Sequence, residues 1–184
     1  IRKNMKKMLL IGNGVSRLKP EVQKYIQDWI DNNTGEIWIF NYAYKEFGQV
    51  ATRWGGHVEL LEEVSKYKKN KKAKFEIYTN TQTKIKHTEY TRDYLLDSGS
   101  TAVRQALIDG FDCYLVGFDL GGADVYCAEH YKINKTMWVK RMYQIWFSNQ
   151  DRVHFIGVDH SNIFRSRRFG LYYEQYSKGI NHLE

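Results

Sequence analysis

Met8-Leu9-Leu10-Ile11-Gly12-Asn13-Gly14-Val15-Ser16 is a short apolar run closed by Gly-Asn-Gly-x-Ser, and a helical pattern follows at once. An apolar run of this length, ended by glycines, reads as a buried strand. Glycines at such a turn let the backbone pass close to a neighbouring group, since no Cβ stands in the way. Ser16 is suited to cap the next helix, whose unsatisfied N–H groups and positive dipole end favour an anion. Open α/β sheets hold nucleotide phosphates in this way, at the carboxyl ends of their strands. The run is neither Gly-x-Gly-x-x-Gly nor a lysine-containing phosphate loop, so neither of those motifs applies. A plain strand-to-helix turn is the competing reading.

Outward from this turn, helices and strands alternate. Pro20 to Asp31 carries Val22, Tyr25, Ile26, Trp29 and Ile30 at helical spacing, with proline near the start. Glu36 to Phe40 reads as a second strand, residues 58–68 as a helix, and Phe75 to Tyr78 as a third strand. Thr79 to Asp97 is polar and fits a short edge strand over Ile85 to Tyr90 or an ordered surface loop. Ser98-Gly99-Ser100-Thr101 opens a helix that Gly110 stops. Cys113 to Phe118 is the fourth strand, Thr136 to Asn149 an aromatic-rich helix, and Val153 to Gly157 the fifth strand. Trp54-Gly55-Gly56-His57 reads as loop and is a candidate to face the crevice, with no role fixed by its pattern. About five alternations predict a Rossmann-like α/β sandwich, with a mostly parallel sheet covered on both faces. The expected strand order is near 3-2-1-4-5, which sets the first and fourth strands side by side.

A chain of 184 residues suits one domain, taken as 1–182, with Leu183-Glu184 set aside as a tag remnant. Hydrophobic content of 42% supports a folded core, and one proline leaves little room for a flexible linker. The two cysteines, Cys113 and Cys127, make neither a disulfide framework nor a metal-ligand set. No run approaches the roughly 18 apolar residues of a membrane span, and no secretory signal is visible, so a cytoplasmic protein is expected. A net charge of +7 points to an anionic partner.

Parallel topology gathers polar residues on one rim. Asn13 ends the first strand, Asn41 the second, Thr79-Asn80 the third and Asp119 the fourth, while Asp159-His160 follows the fifth. Ser98, Gly99 and Ser100 open the helix that feeds the fourth strand, on the same rim. Their shared placement predicts a binding crevice.

Three blocks carry a resemblance. Leu10 to Lys19 resembles the opening motif of the bacterial sialyltransferases that build lipooligosaccharide, in which Gly-Asn-Gly-Pro-Ser-Leu cradles the cytidine monophosphate of the donor. Ile39-Phe40-Asn41 resembles their second strand, where an asparagine contacts the donor. Ser98 to Ala102 and Ala106 to Asp119 resemble the third block: a Ser-Gly turn, a helix, then a strand ending Gly-x-Asp. The frame is also similar to a broader nucleotide-binding group that includes the archaeal pterin pyrophosphokinase-like family. Together the blocks cover about a quarter of the chain. Val15 departs from the family's proline, and a chain this short implies a reduced acceptor lid.

The resemblance implies a glycosyltransferase that takes a nucleotide sugar, CMP-linked, as substrate and uses no cofactor. Gly12, Asn13, Gly14 and Ser16 would hold phosphate or ribose, and Asn41, Ser98, Gly99 and Ser100 would contact the donor. Tyrosines after the fourth strand, here Tyr126 and Tyr131, would bind its phosphate. Asp119 joins the catalytic set against the donor. A histidine would deprotonate the acceptor hydroxyl; His130, His154 and His160 compete, and His160 is preferred because it follows the fifth strand on the rim. Asp119 and Asp124 form no Asp-x-Asp pair, so no metal is expected.

Two other functions stay open. Pyrophosphate transfer would require magnesium. A non-catalytic nucleic-acid-binding accessory protein would depend on the lysines of 66–74, which otherwise read as a solvated helix end. Arg165, Arg167 and Arg168 beside Phe164 and Phe169 suit stacking on bases or packing of a tail. Trp138 and Trp146, eight apart on one helix face, read as core.

Overall fold

A computed structural model describes residues 5–95, 97–121, 123–126 and 135–165. It contains a six-stranded parallel sheet flanked by helices. The strands are β1 (Lys6–Ile11), β2 (Glu36–Phe40), β3 (Arg53–Gly55), β4 (Glu76–Tyr78), β5 (Phe111–Val116) and β6 (Val153–Phe155). The helices are α1 (Pro20–Asp31), α2 (Tyr44–Phe47), α3 (Leu61–Lys71), α4 (Ser98–Ile108), α5 (Lys135–Ser148) and α6 (His160–Arg165). The sheet order is β4-β3-β2-β1-β5-β6. No helix among the described residues is long and apolar enough to cross a membrane.

Side-chain alternation explains the layers. On β1, Leu9 and Ile11 pack with Val22, Ile26 and Trp29 of α1 and with Leu61 and Val64 of α3. Met8 and Leu10 point the other way, onto Ala102, Val103 and Ala106 of α4 and Met142 and Trp146 of α5. Successive strand residues face opposite sides, so a strand covered twice must be apolar at every position. Met8 through Ile11 are all fully buried.

The expected order of five strands is corrected by one insertion. The segment read as a Trp-Gly-Gly-His loop supplies β3, which pairs with β2 on one side and β4 on the other. Trp54 is fully buried there, and its indole N–H donates to the Asn41 carbonyl at 2.9 Å. At the amino end of β3, Arg53 ion-pairs with Asp109 at 2.6 Å and lies against the rings of Trp38, Tyr78 and Phe111. Residues 79–95 form loop joined to β4 by a single bridge, Tyr78 to Thr88; Tyr90 from this loop is buried on Trp38.

The placement that matters for the site holds. β1 pairs with β5 in parallel along its whole length, from Lys6 opposite Phe111 to Ile11 opposite Val116. Strands β1 to β4 progress to one side. The chain then returns across the sheet through α4 to lay β5 on the far side of β1. The winding direction therefore reverses between β1 and β5, the usual position of a ligand crevice in such sheets.

Candidate functional site

A cavity of about 480 Å³ opens at this reversal. It is lined by Gly12, Asn13 and Gly14 after β1, by Phe40 and Asn41 at the end of β2, and by His57 after β3. Asp97, Ser98 and Gly99 line it from the start of α4, and Gly117 to Gly121 after β5. Tyr94, Met137 and Trp138 add apolar wall. Five of the rim residues expected from sequence, Asn13, Asn41, Ser98, Gly99 and Asp119, thus meet in one crevice together with Gly12 and Gly14.

Their roles differ from those expected. Three amides of the Gly12–Ser16 turn, those of Gly12, Gly14 and Ser16, are already engaged. Gly12 N–H donates to the Val116 carbonyl and Gly14 N–H to the Gly117 carbonyl, each at 2.8 Å. Ser16 N–H donates to Asp119 Oδ2 at 3.0 Å, and the Ser16 hydroxyl donates to Asp119 Oδ1. Ser16 is buried in a single 3-10 turn over Val15–Leu18 and makes no side-chain cap. An internal carboxylate therefore holds the Ser16 amide and hydroxyl, two of the groups that the sequence reading offers to an external anion.

The glycines have a structural cause. A Cβ on Gly12 would lie 2.6 Å from the Gly117 carbonyl oxygen, and one on Gly117 would lie 2.3 Å from the Gly12 carbonyl oxygen. Gly117 also holds φ +69°, a conformation that a side chain disfavours. The close approach is between two strand-end turns, backbone to backbone.

Asn13 and Asn41 likewise serve the scaffold. Asn13 Nδ2 donates to the Phe40 carbonyl at 3.0 Å, and its Oδ1 accepts from Arg17 at 3.3 Å. Asn41 adopts φ 50°, and its Oδ1 accepts the His57 amide at 2.8 Å. Arg17 is only 3% exposed, a buried cation that sequence reading passed over. It meets Glu46 at 3.3 Å and the Tyr126 hydroxyl at 3.2 Å, with the Phe47 and Tyr126 rings against its guanidinium. Two of its partners, Glu46 and Tyr126, lie 29 and 109 positions away, so its burial does not follow from the local sequence.

Tyr126 does not line the crevice. Its hydroxyl bonds Glu46 and Arg17, and burial, with the Glu46 hydrogen bond second, pushes its pKa up to about 12. Ser100 is buried, and its amide is capped by Asp97 Oδ2 at 2.8 Å. Burial raises the Asp97 carboxyl above the usual carboxylate range, against the pull of the Ser100 hydrogen bond. Tyr131 and His130 lie outside the described residues, as do Arg167, Arg168 and Phe169.

His160 does not fit the role of base on an acceptor. It opens α6, is 8% exposed, and packs on Phe155 and Phe164. Its Nε2 lies 2.6 Å from the Phe118 carbonyl oxygen. A carbonyl only accepts, so Nε2 must carry the proton. Burial holds the His160 pKa below its ordinary value, against the raising effect of that hydrogen bond. His154 stacks on Tyr114 within the sheet. His57 is the described histidine that lines the crevice, and it is exposed. Its position directly after a strand was the available signal; the strand, only three residues long, was not visible. The Trp138–Trp146 pair also divides, with Trp146 buried in the core and Trp138 on the crevice wall.

The described crevice lining holds three carboxylates, Asp97, Asp119 and Asp124, one imidazole, and no lysine or arginine. Carboxylates accept from hydroxyl and amino groups. Phe40, Phe118, Tyr94 and Trp138 supply ring surface. At the start of α4, the Ser98 and Gly99 amides have no partner inside the helix, because the first turn of any helix leaves its N–H groups unpaired. Such a crevice can seat a ring-bearing, hydroxyl-rich molecule with one anionic group at the α4 terminus. Among the described residues, no three His, Cys, Asp or Glu side chains gather closely enough to hold a metal ion. No family model, no curated protein and no solved structure matches the chain.

Proposed function

We propose that the crevice binds a nucleotide sugar and that the protein transfers the sugar to an acceptor hydroxyl. One observation carries this reading: the ends of β1, β2 and β5 and the start of α4 converge on one aromatic-walled, carboxylate-bearing cavity at the point where the sheet's winding reverses. Base and sugar rings would stack on Phe40, Phe118 and Trp138, and ribose and sugar hydroxyls would donate to Asp97 and Asp124. The donor phosphate would sit on the Ser98 and Gly99 amides, where the α4 dipole favours negative charge. His57 is placed to take the proton of the acceptor hydroxyl as the sugar–phosphate bond breaks and the nucleotide leaves with the electron pair. Catalysis would consist mainly of positioning and of stabilising that departing phosphate. The resemblance in the three sequence blocks adds cytidine as the base; the crevice itself supports only a nucleoside with a sugar.

Calorimetric titration with cytidine, uridine, guanosine and adenosine monophosphates and diphosphates, and with their sugar conjugates, tests the proposal. Binding by one nucleotide series, weakened at least about tenfold in Trp138→Ala and with transfer lost in His57→Ala, is the expected result. No binding by any nucleotide or nucleotide sugar at millimolar concentration would end it.

A further inference from the structure

The basic character of the chain resurfaces away from the crevice. A second cavity, of about 470 Å³, lies between α4, α5 and the loop before α4. Arg92, Arg104, Arg141 and Arg152 line it, with Leu107 and Ile145 among the apolar floor and Gln144, Ser148 and Asn149 as neutral donors. No carboxylate belongs to the lining among the described residues.

The four arginines are not equivalent. Arg152 Nη2 donates to the Leu107 and Phe111 carbonyls, both at 2.9 Å, and Arg152 lies 3.7 Å from Asp112, so it ties the end of α4 to β5. Arg104 donates to the Asp93 carbonyl. Arg92, Arg104 and Arg141 make no ion pair among the described residues. Asp93 and Asp97 act on Arg104 and Arg141 only from outside the lining. Arg141 Nε is buried with no hydrogen-bond partner. Burial, followed by the charges of Arg92 and Arg141, makes the Arg104 guanidinium easier to deprotonate than usual.

Like charges gathered with no carboxylate in the described lining raise the free energy of the empty groove. A helix-capping role accounts for Arg152 but not for the other three. Planar guanidiniums bind phosphate oxygens through paired N–H donors. At about 470 Å³ the cavity is of small-molecule size, which favours a compact anion over a polymer that tracks along a surface.

We propose that this groove is a binding site for a small anion carrying two or more adjacent phosphate groups, free or as the tail of a nucleotide, with Arg104 and Arg141 as its principal ligands. The site is separate from the crevice and does not rest on the sugar-transfer reading.

The test is calorimetry on the whole protein at two salt concentrations with phosphate, pyrophosphate, tripolyphosphate and ATP. Pyrophosphate and tripolyphosphate should bind, more tightly than phosphate and more weakly at high salt. The Arg104→Gln/Arg141→Gln protein should lose about tenfold or more in affinity. Lys69→Gln/Lys71→Gln, which removes the same charge from an exposed helix end, should change affinity less than about twofold. Equal binding of tripolyphosphate and ATP marks the phosphate chain alone as the ligand; tighter ATP binding marks a nucleotide tail. The proposal falls if wild-type protein binds none of these anions, if phosphate binds as tightly as tripolyphosphate, or if the two double variants behave alike. A preference for RNA that depends on Lys69 and Lys71 would also overturn it. If the double variant does not fold, Arg104→Gln and Arg141→Gln are titrated singly, and the proposal falls if each binds tripolyphosphate as tightly as the wild type.

Discussion

Alanine at Gly117 tests whether the Gly-Asn-Gly motif exists for packing or for a ligand. The added Cβ would lie 2.3 Å from the Gly12 carbonyl oxygen, on a backbone held at φ +69°. The left-handed conformation costs a non-glycine residue about 1–2 kcal/mol. Forcing two backbones apart in a packed region adds about 1–3 kcal/mol. The sum is about 2–5 kcal/mol, which for a chain of this size lowers Tm by roughly 5–15 °C. Gly110 supplies the control: it holds φ +89°, but a Cβ there meets nothing within 4 Å. Gly110→Ala should therefore show only the conformational part, about 1–2 kcal/mol. Gly12→Ala, whose Cβ would meet the Gly117 carbonyl oxygen at 2.6 Å, should show only the steric part, about 1–3 kcal/mol. Urea denaturation of the three variants measures these differences as shifts in midpoint at constant slope. If Gly117→Ala and Gly110→Ala unfold together, and Gly12→Ala unfolds with the wild type, the contact between the two turns carries no energy and the packing account is refuted. Should those same variants lose nucleotide binding instead, the glycines belong to a ligand.

Three further outcomes follow from local geometry. Lys72, the residue that closes α3, holds φ 54°, so Lys72→Gly should raise stability by about 0.5–1 kcal/mol, read as a Tm increase of a few degrees. His160, whose pKa is depressed below the ordinary 6.5, contributes stability that is complete above that value and is lost as pH falls toward the folded pKa. Urea midpoints measured between pH 8 and pH 5 should fall, and His160→Gln should flatten the profile. Burial pushes the Cys113 thiol up to about 12, so iodoacetamide at pH 8 should leave it unmodified in the folded protein and label it in urea, as read by peptide mass.

The parts of the fold legible in the sequence are those fixed by local pattern. Met8 to Ile11 could only be a strand buried on both faces, and the single long return from β4 to β5 set β1 beside β5. From that adjacency came the rim of Asn13, Asn41, Ser98, Gly99 and Asp119. What stayed hidden depends on partners far away in sequence. Arg53–Gly55 is a strand because β2 and β4 hydrogen-bond it from either side; three residues ending in glycine show no period of their own. Arg17 is buried because Glu46, Asn13 and Tyr126 meet it, and a charged residue gives no such sign in isolation. The carboxylate that meets the first turn, Asp119, lies 103 residues from Ser16. The sequence puts His160 on the rim because it follows the fifth strand; it begins a short helix whose Phe164 is buried in the core, and that carries the imidazole inward.

The segment after β5 returns to the first turn at several rungs. Asp119 holds Ser16, Asp124 bridges to Gly14, the Val125 amide donates to the Asn13 carbonyl, and Tyr126 meets Arg17. The two halves of the sheet are thereby laced together at the seam where their winding diverges. One side of the crevice is consequently a fixed jamb, and chemical variety can be introduced on the opposite side, at His57 and the start of α4, without loosening the hinge-line of the molecule.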